Sequence, residues 1–582
     1  GYTFAGWYKD DKFKTLWDFA NDKVTEDITL YAKWISNATG ATVTPAPEEP
    51  DEEGPIPDSS RLLTAAESMP YLKYEITGDG VEITGYNGRP IALTIPDEIE
   101  GRKVVSIKER AFKGCKTLKQ IVLPDGITTM GECAFQGTYL TSVRTPASWT
   151  KVVSSAPVVG DVALMSPFAG CTTLKSVAVP QGVTMVPDYA FNGSAEDECP
   201  TASITSVSLP DTLTEIGVYA FGETGISSIV LPDSITAMGS FAFAGSHLSF
   251  VRTPVSWTET IPYKRLNTYY ASPFEDCEML KSAVVPEGVK VLPHSAFDFA
   301  KNLVDISLPS TLEEIGNNAF CATSISSIKL PDGLKVIGME AFAECDNLKS
   351  IVLPDSITTM GTNAFAYTGL TSVRTPLSWT DIISPEYDDG AYCHSPFDCC
   401  DDLKTIVVPE GVTKLPDCAF HSNPIEGWIP DVDVRLPSTL EEIGACAFSS
   451  SGISSIRLPE GLKGIGASAF EDCGWLTDIN LPDSITTIGA YAFFWTSLTT
   501  VRTPLNWTKV TQGIHEYEGV SRKTGSPFEG CQTLKNVIVP EGVTVLPDNA
   551  FNFKEQNPFA LNVREYGDMT ISLPSTLTKV GE

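Results

Sequence analysis

The sequence has no apolar stretch long enough to cross a membrane. In its 582 residues, no run approaches the roughly 18 apolar residues that a spanning helix needs. No signal sequence or basic start is present at Gly1, and the last residues, Leu573 to Glu582, stop inside a repeat. We therefore predict no direct membrane insertion, and we expect the targeting signal and the anchor to lie outside this sequence.

Basic residues are scarce. The chain has 41 Lys and Arg against 73 Asp and Glu, which gives a net charge of −32 at pH 7. A surface with this charge repels phosphate groups, so we predict no nucleic-acid partner and no binding to anionic membranes through the overall field. The ordinary role of such a charge is to keep a long chain in solution.

Catalytic and metal-binding motifs are also missing. No H-E-x-x-H, G-x-S-x-G or phosphate-loop pattern occurs, and the five histidines share no repeat position. The absence of C-x-x-C argues against zinc and thioredoxin-type chemistry. We predict that the chain is not an enzyme and holds no cofactor or metal. A hydrolase acting on glycans or peptides would need a paired-carboxylate cleft, which a regular repeat does not obviously supply.

Cysteine occurs 14 times, and seven copies share one position in the phrase [A/P]-F-x-x-C. Ser or Thr occupies that position in other copies, so it favours a small buried side chain and predicts free thiols. A disulfide among Cys393, Cys399 and Cys400 is the alternative left open for that segment. The seven cysteines are Cys115, Cys171, Cys277, Cys345, Cys400, Cys473 and Cys531.

What the sequence does contain is a repeat, most often at a step of 22 or 23 residues. Its plainest copy runs from Leu348 to Ala364 as L-x-x-I-x-L-P, then I-T-x-M-G, then x-x-A-F. Side chains alternate along a strand, so the Leu and Ile positions point inward and Phe follows them into the core. A repeat this short must bury its apolar face against its neighbours. The sequence therefore predicts a repeat solenoid, mainly β.

The first 108 residues differ from the repeats. Residues 1–35 hold two aromatic runs, G-Y-T-F-A-G-W-Y and I-T-L-Y-A-K-W. These runs resemble the Listeria–Bacteroides repeat (internalin B-repeat), a small β-grasp-like module of bacterial surface proteins, here without its opening strand. Residues 36–60 are rich in Pro and acid and predict an extended linker. Residues 61–108 alternate apolar and polar residues and predict a cap over the first open edge of the solenoid. Residues 109–582 hold the repeats, the last of them truncated.

The repeat phrase closely resembles the BspA-type leucine-rich repeat family over roughly residues 70 to 582. The resemblance implies a right-handed solenoid with one parallel strand ladder and short helical turns. It also implies a secreted or surface-exposed protein, usually an adhesin or binding protein of bacteria or mucosal protists. The N-terminal module favours a bacterial source.

A longer phrase, V-R-T-P-x-[S/N]-W-T, occurs four times, and an insertion and then S-P-F follow each copy. Sixteen residues separate Val152 from Phe168, whereas five separate Met360 from Phe365 in an ordinary turn. The insertions are either recognition loops on a rigid scaffold or tolerated surface additions. The Trp of the phrase takes the inward position of Ile357, so we predict a core role for Trp149, Trp257, Trp379 and Trp507.

The outward position of the I-x-L-P strand is basic in seven of eighteen turns and never acidic. This register predicts a basic stripe on an acidic protein, with Arg374, Arg435, Arg457 and Arg502 as candidate ligand-binding residues. Arg is suited to carboxylate, sulfate or phosphate groups. The alternative is pairing with nearby acids, such as Asp433 two residues before Arg435.

Two further candidates, Trp475 and Trp495, lie at outward positions after the repeat Phe in consecutive turns. Neighbouring exposed indoles can stack on sugar rings or on a protein partner. Scattered surface aromatics are also normal, which is the alternative.

These features predict a non-covalent adhesion or ligand-binding protein at the bacterial cell surface. The expected partner is a protein or glycan of a host or neighbouring cell, and the chain is expected to be a monomer. The alternative is a structural stalk that presents other domains away from the cell.

Overall fold

The computed structural model describes residues 2–9, 31–36, 42–43, 61–154, 165–193, 204–263, 271–383, 394–422, 432–512, 515–517, 520–522, 525–551 and 569–581. At the N-terminus, strands Tyr2–Tyr8, Tyr31–Ser36 and Thr42–Val43 form an antiparallel sheet. The sheet thus includes three residues of the segment predicted to be a linker, Ser36, Thr42 and Val43. No helix in the described part of the chain is long and apolar enough to span a membrane.

The predicted cap begins with helix Ala65–Ser68 and the 3-10 turn Met69–Tyr71. Thr64 caps the helix by accepting a hydrogen bond from the Glu67 backbone nitrogen at 3.3 Å. The cap strands are Leu72–Ile76, Val81–Tyr86, Ala92–Thr94, Glu98–Ile99 and Arg102–Ile107. The antiparallel hairpin of the first two strands continues through Arg102–Ile107 into the repeat strands, so it covers the end of the sheet.

The L-x-x-I-x-L phrase of the repeat forms a first ladder of parallel strands. The ladder is divided into groups, and each three-strand group starts at a V-R-T-P phrase. After the pair of Ala92–Thr94 with Gln120–Val122, the groups are Ser142–Arg144, Ser176–Ala178 and Ser206–Ser208; Phe250–Arg252, Ser282–Val284 and Asp305–Ser307; Ser372–Arg374, Thr405–Val407 and Asp433–Arg435; and Thr500–Arg502, Asn536–Ile538 and Thr570–Ser572.

The I-T-x-M-G phrase forms a second parallel ladder. Thr129–Gly131 and Lys151–Val153 extend the cap sheet. The later groups are Met185–Val186, Glu215–Ile216, Ala237–Gly239 and Glu259–Ile261; Val291–Leu292, Glu314–Ile315, Val336–Ile337, Thr359–Gly361 and Asp381–Ile383; Lys414–Leu415, Glu442–Ile443, Gly464–Ile465, Thr487–Gly489 and Lys509–Thr511; and Val545–Leu546 with Lys579–Val580. A separate hairpin, His515–Tyr517 with Val520–Arg522, lies in the fourth insertion.

The expectation of one ladder and short helical turns is therefore corrected. Two parallel ladders run along the solenoid, and helix within the described residues is confined to the cap. The A-F segment is not helical because its backbone bonds to the next turn. The Phe342 nitrogen, for example, donates to the Ala364 oxygen at 2.7 Å. These inter-turn bonds replace the bonds that a helix would make within one turn.

A continuous column of phenylalanine rings runs through the core. Eighteen rings stack in chain order with neighbouring centroids 5.2–6.2 Å apart. This spacing is close to the roughly 4.8 Å rise between paired strands, so each turn contributes one ring. The column consists of Phe112, Phe135, Phe168, Phe191, Phe221, Phe243, Phe274, Phe297, Phe320, Phe342, Phe365, Phe397, Phe420, Phe448, Phe470, Phe493, Phe528 and Phe551.

The tryptophans of the longer phrase pack against this column, as their register predicts. Trp257 meets Phe274 edge-on, with centroids 6.3 Å apart, and its Nε1 donates to the Glu259 carbonyl at 2.8 Å. All four indoles are buried, and the other three make the same bond to the second residue after them. The prediction of a core role is confirmed for Trp149, Trp257, Trp379 and Trp507.

The glycine that ends the second strand is required for close packing between turns. A Cβ at Gly361 would overlap the backbone of Met339 in the preceding turn, and Gly489 meets Ala467 in the same way. Neither glycine has a positive φ. The close approach of two backbones therefore explains the glycine, and a special turn conformation does not.

Candidate ligand-binding surface

The outward side chains of the first ladder, here called the strand face, carry the predicted basic stripe. Arg374 forms a two-pronged ion pair with Asp355 of the preceding turn, at 2.7 and 3.3 Å. The Asp355 carboxylate also accepts from the Leu377 nitrogen at 3.0 Å. The hydrogen bond from Arg374 lowers the pKa of Asp355. The same arrangement recurs in the pairs Arg144–Asp125, Arg252–Asp233 and Arg502–Asp483.

The other two arginines of the prediction differ from each other. Arg435 pairs with Asp433 on its own strand at 2.8 Å, which is the alternative that the sequence left open. Arg457 is exposed and has no ion-pair partner among the residues that the structure describes. Local acids thus neutralise Arg374, Arg435 and Arg502, and Arg457 remains the unpaired cation of this group.

Removing the two-pronged pair will have a small effect on stability. We expect Arg374→Gln to lower the free energy of unfolding by about 0.5–1 kcal/mol, since an exposed pair contributes little. Arg457→Gln is the matched control and should change nothing measurable. Differential scanning calorimetry of both variants checks this, and equal losses of stability would contradict the assignment.

The strand face also carries apolar residues that the stripe prediction overlooked. Val230 is 86% exposed and Val352 is 82% exposed, each one turn before the arginine of an Arg–Asp pair. The same register that located the arginines places these valines outward. The face is therefore a mixture of ion pairs and exposed aliphatic groups.

Trp475 and Trp495 lie at the surface, as their positions predict. Trp475 is 63% exposed beside Gly474, where an added Cβ would touch nothing within 4 Å. Trp495 is 36% exposed, and its ring lies beside Phe494 with centroids 4.8 Å apart. A Cβ at Gly530 would lie 2.8 Å from Phe494 and 3.0 Å from Trp495. This glycine of the next turn therefore packs closely beside both rings.

The exposed residues between a core phenylalanine and the next inward residue, in the turns that the structure describes, form a second surface, here called the turn face. In fifteen described turns the residue two positions after the ring has left-handed backbone, and in five of these fifteen it is glycine. Phe299, Tyr367 and Trp495 hold the same conformation, with φ of 52–57°. A non-glycine residue in this region costs about 1–2 kcal/mol. The five left-handed glycines are Gly114, Gly137, Gly170, Gly245 and Gly530.

Family comparison agrees with this geometry. A model described as the BspA type leucine rich repeat region matches residues 92–198, 198–264, 267–389, 392–520 and 524–563. The chain belongs to the BspA type leucine rich repeat family. A model of the Listeria-Bacteroides repeat domain matches residues 1–33. Both predicted resemblances are confirmed, and the BspA-type repeat is a scaffold of non-enzymatic type.

Individual relatives match short segments or share low identity. Internalin H of Listeria monocytogenes is 56% identical over 43 residues, which is 7% of this chain and 8% of that protein. A putative membrane protein of Evansella cellulosilytica is 51% identical over 37 residues, 6% of each chain. The chain thus spans less than a tenth of these relatives. A leucine-rich repeat protein of Bacteroides ovatus is 21% identical, with a TM-score of 0.38 over 81% of this chain and 94% of its own.

Buried carboxyl groups lie directly beneath the turn face of the BspA-type repeats. Asp298, next to core residue Phe297, is 4% exposed, and its Oδ1 has no hydrogen-bond partner among the described residues. Burial raises the pKa of Asp298 to about 7. Glu275 holds the same position in the preceding turn, and burial raises its pKa to about 7 as well. The sequence contains a signal for these buried acids, because the residue directly after the core phenylalanine is acidic in these two turns and is alanine, Ala343, in an ordinary turn.

The base of the third insertion brings His394 and Asp398 together, with Nδ1 and Oδ2 3.4 Å apart. Cys399 and Cys400 are free, so they are not bonded to each other, and Cys418 is disulfide-bonded. Burial raises the pKa of the Cys399 thiol, which disfavours the nucleophilic thiolate. No metal-binding group of three His, Cys, Asp or Glu residues occurs in the described ranges.

The seven repeat cysteines are free and buried, which confirms that prediction. In six of them the thiol donates to the Phe carbonyl of the preceding turn, as Cys345 does to Phe320 at 3.1 Å. Residues 155–164, 264–270 and 384–393 of the first three insertions, with Cys393 among them, lie outside the described residues. A recognition role for the insertions stays a prediction.

Proposed function

We propose that this chain is an extracellular cell-surface adhesion or binding protein that recognises a protein or glycan of a host or neighbouring cell. The observation that carries the proposal is the pair of exposed aromatic rings on left-handed backbone, Tyr367 and Trp495. Glycine would serve the fold better at these positions. Conformationally expensive aromatic residues at a surface point to recognition.

The core makes such residues effective binding groups. Phe365 and Phe493, two residues before Tyr367 and Trp495, are both fully buried in the stacked column. Because the column holds the turn in place, little backbone freedom remains to be lost when a ligand binds. A rigid surface with several aromatic groups suits non-covalent recognition by many modest contacts.

We assign the leading contacts to Trp475 and Trp495, with Arg457 supplying a positive charge that has no ion-pair partner in the described part of the chain. Arg435 lies next to Arg457 in the stripe and is held by Asp433. Arg374 and Arg502 present ordered ion pairs to a ligand in place of free cations. The family and the N-terminal Listeria-Bacteroides repeat support placement at the bacterial surface.

A double variant tests the proposal. Trp475→Ala with Trp495→Ala should weaken binding to the ligands found on a glycan and host-protein array at least tenfold, because hot-spot aromatics carry about 2 kcal/mol or more. Phe250→Ala is the control, since Phe250 is 48% exposed on the strand face. Surface plasmon resonance measures the change. Unaltered affinity in the double variant would remove both tryptophans from the proposal.

A stiff stalk is the second candidate function, and the unbroken phenylalanine column favours it. Deleting residues 373–500, the block between two V-R-T-P phrases that contains Trp475 and Trp495, separates the candidates. A stalk would lose only reach on the cell surface, measured by the access of an antibody to a tag. A binding protein with its site in this block would lose affinity.

A further inference from the structure

The turn face contains an open groove of about 430 Å³ between Lys301 and Tyr367. Its floor is the turn that follows Phe320, with Ala322, Thr323 and Ser324. Its lining comes from four consecutive turns of the solenoid. The volume falls in the range of about 300–1,000 Å³ that is usual for small-ligand sites.

The groove exists because the Phe320 turn is one residue shorter than both neighbours. Five residues lead from Phe320 to the next inward residue, Ile325, whereas six lead from Phe297 to Leu303 and from Phe342 to Leu348. The shorter turn is recessed between two longer ones, and these become the walls.

Small side chains keep this groove open. Three other short turns carry an exposed aromatic residue, namely Tyr139, Tyr367 and Trp495. Counted from the core ring, Ala322 stands at the position of Tyr367 and Trp495, and Ser324 stands at the position of Tyr139. The Phe320 turn thus lacks the ring that these turns place on the same face.

The walls carry polar side chains that have no hydrogen-bond or ion-pair partner among the described residues. Lys301 lies on one side, with Nζ 5.6 Å from the centre of the Phe299 ring. Glu344, Asp346 and Asn347 lie on the other side. All four side chains are exposed, and none forms a hydrogen bond or ion pair with another part of the described chain. The groove therefore presents donors and acceptors to a ligand along both edges.

We propose that this groove binds a short oligosaccharide without acidic groups, an inference that rests on the binding function proposed above. A sugar ring has hydroxyl groups around its edge and apolar C–H faces. Glu344, Asp346 and Asn347 suit the hydroxyl groups, and the Tyr367 ring suits an apolar face. Two carboxylates against one ammonium disfavour sialylated or sulfated chains.

The same geometry disfavours an extended peptide as the ligand. The floor of small residues has no apolar pocket for a large side chain. The backbone beneath is already paired, because the Ala322 nitrogen donates to the Ala343 oxygen and the Glu344 nitrogen to the Ala366 oxygen, both at 2.8 Å. A peptide strand therefore finds no free edge to extend.

Saturation-transfer NMR on the full chain tests the proposal with two neutral probes, N,N′,N″-triacetylchitotriose and lacto-N-tetraose. We expect transfer to at least one neutral probe and at least tenfold weaker binding of sialylated lacto-N-tetraose. Ser324→Tyr fills the groove with the residue found at Tyr139, so it should weaken binding at least tenfold. No transfer to either neutral probe, or equal transfer in the filled variant, would overturn the proposal, as would binding of a lysine-rich decapeptide at this groove instead.

Two tyrosines supply a matched control, since Tyr139 and Tyr367 are each 45% exposed. Tyr367→Ala should weaken sugar binding at least tenfold, and Tyr139→Ala should leave it unchanged. Equal effects would refute a localised groove site. If array ligands still bind through Trp475 and Trp495 while both neutral sugars fail, only the groove proposal falls. Loss of all array binding as well would remove the proposed function itself.

Discussion

Replacing Phe342 with alanine will open the solenoid locally and reduce the local free energy of opening by about 3–5 kcal/mol. Phe342 is fully buried between Phe320 and Phe365, with ring centroids at 5.2 and 5.3 Å. Deleting the ring leaves a cavity that the paired backbones on either side cannot close. Because each turn contacts only its neighbours, the loss concentrates in the adjacent turns.

Hydrogen exchange measured by mass spectrometry will locate this loss. The Phe320 and Phe342 amides, which bond to the following turn, should exchange at least a hundredfold faster, since every 1.4 kcal/mol is a factor of ten. Phe250→Ala, the same change at an exposed ring, is the control and should leave exchange near Phe342 unchanged. Similar acceleration in both variants, or none in either, would show that the ring column does not hold the turns together.

The core could be predicted from the sequence because equivalent positions of successive repeats lie in the same environment, so each copy gives the same pattern of apolar residues. Comparison with Ile357 places Trp379 inside, although a surface tryptophan is the usual expectation for a binding protein. The second ladder could not be predicted this way. Its strands are two or three residues long, and what defines them is bonding to another turn, which no alternation within one turn reveals.

The ion-pair partners of the candidate arginines could not be predicted from the repeat alone. The outward register located Arg374 and Arg502 correctly on the strand face. Their partners, Asp355 and Asp483, lie 19 residues earlier and one turn away, a pairing that depends on how adjacent turns stack. The groove is a similar case. The short Phe320 turn is visible in the sequence, but only stacking between two longer turns makes it a recess.

Replacing Asp298 with asparagine will stabilise the protein above neutral pH and leave it unchanged in acid. Burial raises the pKa of Asp298 from the usual 3.8 to about 7 in the folded chain. Between these values the unfolded chain has lost the proton that the folded chain retains. The free energy of unfolding of the natural protein therefore falls as pH rises through this window and levels off above it.

At pH 8 the variant should exceed the natural protein by about 2–4 kcal/mol, and at pH 3.5 the two should unfold alike, since asparagine resembles the protonated acid. Urea unfolding at both pH values measures the difference. Removing this charge also relieves Glu275, whose pKa the neighbouring Asp298 helps to raise, so the two effects add. Asp332→Asn removes the same charge from an exposed turn and should gain far less at pH 8. A gain that persists at pH 3.5, or an equal gain at Asp332, would contradict a buried proton on Asp298. Asp298 lies directly beneath the turn face, in the turn before the groove turn. Because its pKa is about 7, loss of its proton as pH rises through neutrality lowers the stability of this part of the solenoid.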